Sequence, residues 1–287
     1  MIPAEALAAV PGCAHGRPAL ELEPLRGGTA NAAFRVRTDR GQFVVRLHDS
    51  ASAEAGVDRA REVLLQQHAA AAGLAPRIVA ADPQGRFWVS EFLSGKPWGA
   101  ADMDDPLRLA QLARQLGRLH ALAPPAAPAL NLKTLLAAHA ARIGAAGGPG
   151  DPHGPPLEPL IERAHGILDA CARDGRRACM VHGDLYHANL IGTGPRLIDW
   201  EYAAVTDPLF DLACLVAYYP GAGDHETLLL AGLGLQGHVP PGRLAAAAWV
   251  YVLLSYLWYR ALRLRAIPSA PDLEHEARLL ERLSGAG

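Results

Sequence analysis

Three polar residues in the second half of the chain have the types and spacing that a metal-assisted reaction needs. Asp184 and Asn189 lie five positions apart in HGDLYHANLI, and Asp199 follows in LIDWE after the turn GTGPR. Apolar pairs at 190–191 and 197–198 predict a short hairpin, which would bring the three side chains near one point. Mg²⁺ prefers carboxylate and amide oxygens and needs few protein ligands where phosphates supply the rest. The segment therefore predicts a metal and proton-transfer site or, as the alternative, a polar loop that only caps a hairpin.

The same segment resembles the catalytic loop of the kinase superfamily. Its spacing is H-x-D-x-x-x-x-N followed by I-D-W-E, and it is most similar to the branch of choline/ethanolamine kinases, thiamine kinases and aminoglycoside phosphotransferases. The resemblance implies that Asp184 is the catalytic base, which orients or deprotonates the acceptor hydroxyl, and that Asn189 and Asp199 hold Mg²⁺. The motifs IDWEYA and DPLFDLA, which follow at short distance, favour this interpretation over the capped hairpin.

The elements that must position these residues begin with a sheet near the N-terminus. The runs LEPLRGGTANAAFRVRT and GQFVVRLHD predict three strands joined by turns. The glycine pair at the first turn allows backbone N–H groups to approach a phosphate, although an ordinary hairpin turn is the alternative. The resemblance implies that Gly27, Gly28, Thr29 and Asn31 cover the phosphates of ATP.

Two further nucleotide contacts follow from the resemblance. Arg46 stands on the third predicted strand, where protein kinases carry a lysine that contacts the phosphates, and arginine can bind phosphate bidentately. A helix is predicted over 53–72, with Ala60 and Leu64 on its apolar face, and it carries Glu62. The resemblance implies that Glu62 pairs with Arg46. The alternatives are that Arg46 is an ordinary solvated residue of a strand and that Glu62 is a surface residue of the helix.

A strand over 86–92 leads to the boundary between two predicted lobes. By resemblance, it ends in a hinge at which the backbone groups of Glu91 and Leu93 bind adenine, with the register of the hinge left open. A change in composition after this strand, to Gly, Pro and then helical patterns, divides the chain. We predict an N-lobe over 1–93, which binds the nucleotide, and a C-lobe over 94–287, which carries the catalytic loop and the acceptor site.

Helical patterns dominate the second lobe. Leucines at 109, 112, 116 and 119 recur at helical spacing and predict a buried face, and His120 at the end of that helix is predicted to be structural. The stretch 144–156 is rich in Gly and Pro, which predicts irregular structure. We expect helices over 106–122, 132–142 and 157–174.

The segment after the metal-binding aspartate indicates the kind of acceptor. Only eleven residues separate Asp199 from Asp211, where a protein kinase has a long activation segment that ends in A-P-E. This short distance argues against protein substrates and for a small-molecule acceptor. Asp211 resembles the helix aspartate that hydrogen-bonds the catalytic-loop backbone, and His182 is predicted to support the same loop. Both are assigned structural roles.

Two residues are candidates for contact with the acceptor. Glu201 follows Asp199 by two positions, and Trp258 belongs to an aromatic-rich run in which it shares a helical face with Tyr251 and Tyr259. An aromatic wall beside carboxylates would suit a cationic acceptor, because ring faces attract quaternary ammonium groups. The alternative is that these aromatic side chains are part of the core.

The composition is that of a soluble globular protein. The chain has 287 residues, is 50% hydrophobic and carries a net charge of −2, which does not indicate a nucleic-acid-binding surface. The apolar run 244–259 falls short of the ~20 residues that span a bilayer and predicts a buried core helix, and the N-terminus lacks the features of a signal peptide. The four cysteines show no metal spacing and predict free thiols. We expect a cytoplasmic protein with no membrane or nucleic-acid partner, and the sequence does not indicate its oligomeric state.

Together these patterns predict an α+β, protein-kinase-like bilobal fold with an antiparallel-sheet N-lobe and a mostly helical C-lobe. The resemblance implies an ATP- and Mg²⁺-dependent phosphotransferase acting on the hydroxyl of a small molecule, with a choline/ethanolamine- or thiamine-type amino alcohol favoured. The alternatives are an aminoglycoside or homoserine kinase-like activity, a nucleotide-binding regulator without catalysis and, more weakly, a protein kinase.

Overall fold

The chain folds into two lobes, an antiparallel sheet followed by a mostly helical part, which confirms the predicted α+β, protein-kinase-like fold. Within the described ranges, the four cysteines are buried and free, as their spacing predicts. The computed structural model describes residues 2–13, 19–25, 31–48, 58–147, 155–265 and 270–285.

The N-terminal sheet has five strands in the order β1-β2-β3-β5-β4, all paired antiparallel. The predicted turn joins β2 to β3, where Thr38 pairs with Gly41. Alternation along β3 buries Phe43 and Val45 against the short helix α1, Ala4–Ala8, while Val44 and Arg46 face the opposite side. The strands are β1 Glu21–Leu25, β2 Asn31–Thr38, β3 Gly41–His48, β4 Ile78–Ala81 and β5 Phe87–Glu91.

The helix of the N-lobe, α2, spans Arg59–Ala71. Asp58 caps its N-terminus, because its side chain accepts a hydrogen bond from the backbone of Arg61. Its buried face differs from the predicted one, because Ala60 and Leu64 are exposed to solvent. Two polar residues lie on the buried face because that face borders a charged cleft. The buried side chains are Glu62, Leu65, Gln66 and Ala69.

The C-terminal end of α2 is attached to the helical lobe. The carbonyl of Leu74 accepts a hydrogen bond from the backbone of Leu197 at 2.8 Å, and that of Ala72 accepts one from the Arg118 side chain at 2.9 Å. Leu65 and Leu74 belong to the same buried core as the helices of the C-lobe. The helix α2 therefore contacts both lobes, β4 of the sheet on one side and, through Leu65, the core of the C-lobe on the other.

The helices of the C-lobe enclose one long core helix. In α3 the four leucines of the predicted face are fully buried, which confirms that prediction. The predicted irregular structure is wrong over 144–147, where α4 continues, because a helix tolerates glycine at a cost of about 1 kcal/mol each. The helices are α3 Pro106–His120, α4 Leu132–Gly147, α5 Glu158–Arg173, α6 Leu209–Tyr218, α7 Glu226–Gly232, α8 Arg243–Arg265 and α9 Ala270–Gly285.

The core helix is α8, which packs against α4, α5, α6 and α9. Its segment Arg243–Ala261 is long and apolar enough to cross a membrane, but 67% of the most apolar window is buried inside the protein. This burial agrees with the prediction that the apolar run is a core helix.

Two short pairs of antiparallel strands follow the N-terminal sheet. Strand β6, Cys179–Val181, pairs with β9, Ala204–Thr206, and β7, Leu190–Ile191, pairs with β8, Arg196–Leu197. The second pair is the hairpin that the sequence predicts. The two pairs carry the catalytic-loop segment between β6 and β7 and the segment of Asp199 between β8 and β9.

Candidate active site

The segment between β6 and β7 is fixed by one buried carboxylate. Asp211 accepts hydrogen bonds from the backbone N–H groups of His182 and Gly183 at 3.0 and 2.8 Å, and the ring Nε2 of His120 lies 2.8 Å from its second oxygen. Its side chain is fully buried. Two backbone donors on a single carboxylate determine where the loop turns, so Asp211 stands where the predicted structural role requires.

The predicted support from His182 has a defined geometry. Its Nε2–H donates to the carbonyl of Ile198 at 3.0 Å, and its Nδ1 accepts from the backbone N–H of Asp184 at 3.3 Å. Burial lowers the pKa of His182, which favours the neutral ring that can donate at one nitrogen and accept at the other. The ring therefore links the catalytic loop to the segment that precedes Asp199.

A glycine is required between His182 and the candidate base. Gly183 has a φ of +75°, and a Cβ at this position would lie 2.7 Å from the carbonyl oxygen of Tyr202. The carbonyl of Gly183 accepts a hydrogen bond from the Tyr251 hydroxyl at 3.0 Å. Both the backbone conformation and the close approach exclude larger residues here.

Both carboxylate oxygens of Asp184 accept hydrogen bonds. The Asn189 amide Nδ2 donates to Oδ2 and the Tyr218 hydroxyl donates to Oδ1, each at 2.9 Å. Burial, followed by the nearby negative charge of Asp199, raises the pKa of Asp184 to about 7. A carboxylate with a pKa near neutrality can accept a proton, so the position suits a general base.

Asn189 and Asp199 have oxygens that suit a hard cation. Asn189 Nδ2 donates to the side chain of Asp184 and, at 3.1 Å, to its carbonyl, which assigns the amide orientation and leaves the amide oxygen available. The carbonyl of Asn189 also accepts a hydrogen bond from Ile198 at 3.0 Å, which joins the two segments. One carboxylate and one amide oxygen fit Mg²⁺ when phosphates complete the shell. Across the described ranges, the structure contains no group of three or more His, Cys, Asp and Glu residues that could hold a metal without such help.

The backbone of Asp199 has an unusual conformation. Its φ is +64°, and it is the one residue other than glycine that has a positive φ in the described part of the chain. Asp and Asn tolerate this region better than most residues, and such conformations cluster at functional sites.

Arg46 of the sheet reaches across to the segment of Asp199. Its Nη2 lies 2.7 Å from Asp199 Oδ1 and 3.1 Å from Glu201 Oε2, whereas its Nη1 lies 3.7 Å from Glu62. Burial alone would lower the pKa of Arg46, but the three carboxylates raise it above its usual value. The arginine is therefore held charged at the inner end of the cleft between the lobes.

Arg59 was not among the predicted site residues, although it lies closer to Glu62 than Arg46 does. Its Nη1 lies 2.6 Å from Glu62 Oε2 and 3.6 Å from Glu201 Oε2. Burial raises the pKa of Glu62 to about 7, even though both arginines act to lower it. The i,i+3 spacing of Arg59 and Glu62 on one helix is the signal that could have revealed the pair. Glu201, predicted to contact the acceptor, lies between the two arginines, and its predicted contact stays a prediction.

A cavity of about 410 Å³ lies between the sheet and the β7–β8 hairpin, and Arg46, Asn189 and Asp199 all line it. Val44 and Ile198 give its opposite walls an apolar surface, which suits a flat heterocycle. The predicted residues Glu91, Leu93 and Glu201 line it as well.

The backbone at the end of β5 indicates the register of the predicted hinge. The N–H of Glu91 donates to the carbonyl of Arg77 and that of Phe92 to Gln42, at 2.9 and 3.0 Å. In the part of the chain that the structure describes, no acceptor is recorded for the N–H of Leu93. The Leu93 N–H is therefore the donor left for a ligand at this edge. The side chain of Glu91 pairs with Arg77 at 2.8 Å.

The predicted glycine turn falls outside the described residues, and with it Gly27, Gly28 and Thr29. Asn31 is the first residue of β2 and pairs with His48 of β3. Their predicted contact with phosphates stays a prediction.

Aromatic rings gather on the other side of Asp184. Tyr218 lies edge-on to Tyr186 and Tyr251, with ring centroids 5.9 and 5.8 Å apart. Of the predicted aromatic face, Tyr251 reaches the catalytic loop, while the ring of Trp258 packs against Tyr259 at 4.8 Å. Sequence reasoning missed Tyr218, although it follows Asp211 by seven residues and therefore lies on the same face of α6.

Comparisons with known proteins agree with this geometry. Among solved structures, a choline/ethanolamine kinase family protein from Mesorhizobium loti superposes with a TM-score of 0.78 and 22% identity, covering 98% of this chain and 92% of that one. Choline kinase LicA from Streptococcus pneumoniae gives 0.76 and 19%, covering 93% and 94%. A ternary complex of streptomycin, ATP and APH(2″)-IIa gives 0.59 and 16%, covering 83% and 85%. At these identities the likeness shows the fold.

The sequence itself places the chain in a family. No curated protein matches it in sequence. The model of the phosphotransferase enzyme family, however, matches residues 21–249, a range that contains the catalytic loop, both candidate metal ligands and Arg46. The chain therefore belongs to the phosphotransferase enzyme family.

Proposed function

We propose that the protein transfers the γ-phosphoryl group of Mg-ATP to the hydroxyl of a small molecule. The observation that carries the proposal is the position of Asp184. Its carboxylate is hydrogen-bonded to Asn189, which lines the cavity together with Asp199 and Arg46. Phosphoryl transfer needs little covalent chemistry from the protein, so a positioned base, metal ligands and a cation are the main requirements.

The nucleotide occupies the cavity between the lobes. The Leu93 N–H and the Glu91 carbonyl bind adenine, and Arg46 contacts the phosphates with support from Glu62. By resemblance, the turn at 27–31 covers the phosphates. The free donor at Leu93 and the charge held at Arg46 support these roles. A crystal structure of the neighbour LicA in complex with AMP supports nucleotide binding by this fold.

Asn189 and Asp199 would hold Mg²⁺, which would offset the negative charge of the phosphates. Arg46 and the metal share Asp199, since Arg46 lies 2.7 Å from its Oδ1. Asp199 therefore already has a cationic partner before a nucleotide binds.

Asp184 orients the acceptor hydroxyl and takes its proton. The acceptor oxygen attacks the γ-phosphorus, the bond to the β–γ bridging oxygen breaks, and ADP leaves. Asn189 keeps one oxygen of Asp184 fixed, so the other faces the acceptor. A pKa of about 7 for Asp184 suits proton acceptance near neutral pH.

The acceptor is a small amino alcohol of the choline, ethanolamine or thiamine type. Tyrosine rings beside Asp184 support a cationic group, because the faces of aromatic rings attract cations. Choline and ethanolamine kinases are among the most similar structures. Glu201 and Trp258 stay predicted acceptor contacts, with Glu201 engaged by arginines in this structure. The protein acts in the cytoplasm, without a membrane or nucleic-acid partner.

The test is ADP release from Mg-ATP over choline, ethanolamine, thiamine, homoserine and kanamycin, with Asp184→Asn as the control. We expect one amino alcohol to stimulate turnover, and the variant to lose about 10²–10⁴-fold in kcat while it keeps the KM for ATP. Stimulation by kanamycin alone would refute the amino-alcohol class. Nucleotide binding without stimulated turnover would indicate a regulator without catalysis.

A further inference from the structure

The hydroxyl of Tyr218 is bonded to the oxygen of the base that the acceptor needs. It donates to Asp184 Oδ1 at 2.9 Å, while Oδ2 accepts from Asn189. The ring is half-buried at the last position of α6, between the rings of Tyr186 and Tyr251. A phenol has one proton to donate, and here the hydroxyl of Tyr218 donates it to Asp184.

Of the two oxygens of Asp184, we take Oδ1 as the one that the acceptor approaches, because its partner is a hydroxyl, whereas the Asn189 amide holds Oδ2. A water molecule at Oδ1 gains one hydrogen bond and competes for this oxygen with the hydroxyl of Tyr218. An alcohol acceptor gains further binding energy from the rest of its structure, which can offset the displacement of the tyrosine hydroxyl. The contact therefore favours an anchored alcohol over water.

We propose that Tyr218 is a positioning residue that keeps Asp184 Oδ1 engaged until an acceptor hydroxyl replaces it, and so prevents transfer of the phosphoryl group to water. This inference rests on the proposed phosphotransferase function and adds a specificity role for one residue to it.

The reaction that Tyr218 suppresses is ATP hydrolysis. In that reaction the water oxygen forms a bond to the γ-phosphorus while the bond to the β–γ bridging oxygen breaks. The water proton passes to Asp184, and ADP and inorganic phosphate leave. Replacing the tyrosine hydroxyl by hydrogen leaves a space beside Oδ1 in which a water molecule can donate a hydrogen bond to the base.

The test is Tyr218→Phe in the full chain. ADP and phosphorylated acceptor are quantified in the same reaction, and the difference between them gives the hydrolysed fraction. We expect this fraction to rise about tenfold, because water no longer competes with a hydrogen bond to a charged group, while kcat for transfer stays close to that of the wild type. The KM for Mg-ATP should stay the same, since Tyr218 does not line the nucleotide cavity.

Tyr219→Phe is the matched control. Its hydroxyl contacts the backbone N–H and the ring Nδ1 of His187, at 3.0 and 2.7 Å, and not the base. The control should keep the wild-type hydrolysed fraction, so a rise in both variants would overturn the inference. An unchanged fraction in Tyr218→Phe, with wild-type thermal unfolding and KM for ATP, would overturn it too.

The proposed function fails in a different way. A wild type that no acceptor stimulates would overturn the phosphotransferase proposal, and this inference with it. A wild type that phosphorylates an acceptor, alongside a Tyr218→Phe variant with the same partition between acceptor and water, would overturn this inference alone.

Discussion

The strongest test of how the catalytic loop is held is the replacement of Asp211. Its carboxylate accepts from the backbone of His182 and Gly183 and pairs with His120, all inside the core. In Asp211→Ala, two buried backbone N–H groups lose their acceptor, at about 2 kcal/mol each. We expect a loss of about 4 kcal/mol in unfolding free energy and of about 8 °C in Tm.

Asp211→Asn should be much milder. The amide oxygen can still accept from the two backbone N–H groups, and the amide NH₂ would then face His120 Nε2. The other ring nitrogen of His120, Nδ1, is buried without a partner among the described residues, so it can carry the proton while Nε2 accepts. We expect a loss of about 1 kcal/mol, which is the charge assistance alone.

Chemical and thermal denaturation of both variants would measure these differences, with ADP release as the functional readout. Asp169→Ala is the matched control, because Asp169 pairs with Lys133 at the surface, where solvent screens the ion pair, and its loss should change the stability little. The reasoning is refuted if Asp211→Ala unfolds within 1 kcal/mol of the wild type, or if Asn is as damaging as Ala.

Three further changes probe the cleft and the core. Asp199→Asn should abolish Mg²⁺-dependent nucleotide binding in titrations without straining the backbone, because asparagine tolerates a φ of +64°. An unchanged affinity would contradict the ligand role of Asp199. Arg59→Met should raise the KM for ATP about tenfold, by removing a cation that contacts Glu62, without changing the KM for the acceptor. Burial lowers the pKa of His139 to about 4, so the unfolded chain binds the proton first as pH falls below about 6.5. Between pH 7 and 5 the wild type should lose about 2 kcal/mol of stability at this site, and His139→Leu should lack that slope in denaturation at each pH.

Much of the candidate site could be predicted because its residues are close in the chain. Asp184, Asn189 and Asp199 lie on one loop and one hairpin, so their spacing alone brings them together. The leucine face of α3 followed from helical period in the same way. Residue spacing was sufficient to predict which side chains come together wherever their placement depends on one or two neighbouring elements.

Contacts between distant elements were harder to predict. Arg46 and Asp199 are separated by 153 residues, and only the family resemblance assigned both of them to one nucleotide and metal site. The apolar period of α2 placed Leu64 inside, but the helix turns Glu62 and Gln66 inward because the cleft supplies partners for polar groups. The contact of Tyr218 with Asp184 depends on the docking of α6 beneath the loop, which no local pattern specifies.

The attachment of α2 to the larger lobe determines which parts can rotate relative to one another. Hydrogen bonds at Ala72 and Leu74, just after α2, tie the junction between α2 and β4 to the C-lobe, while α2 itself contacts β4 of the sheet. Any rotation of the sheet relative to α2 would change the distance of 3.7 Å between Arg46 and Glu62, so this distance reports the angle between the two.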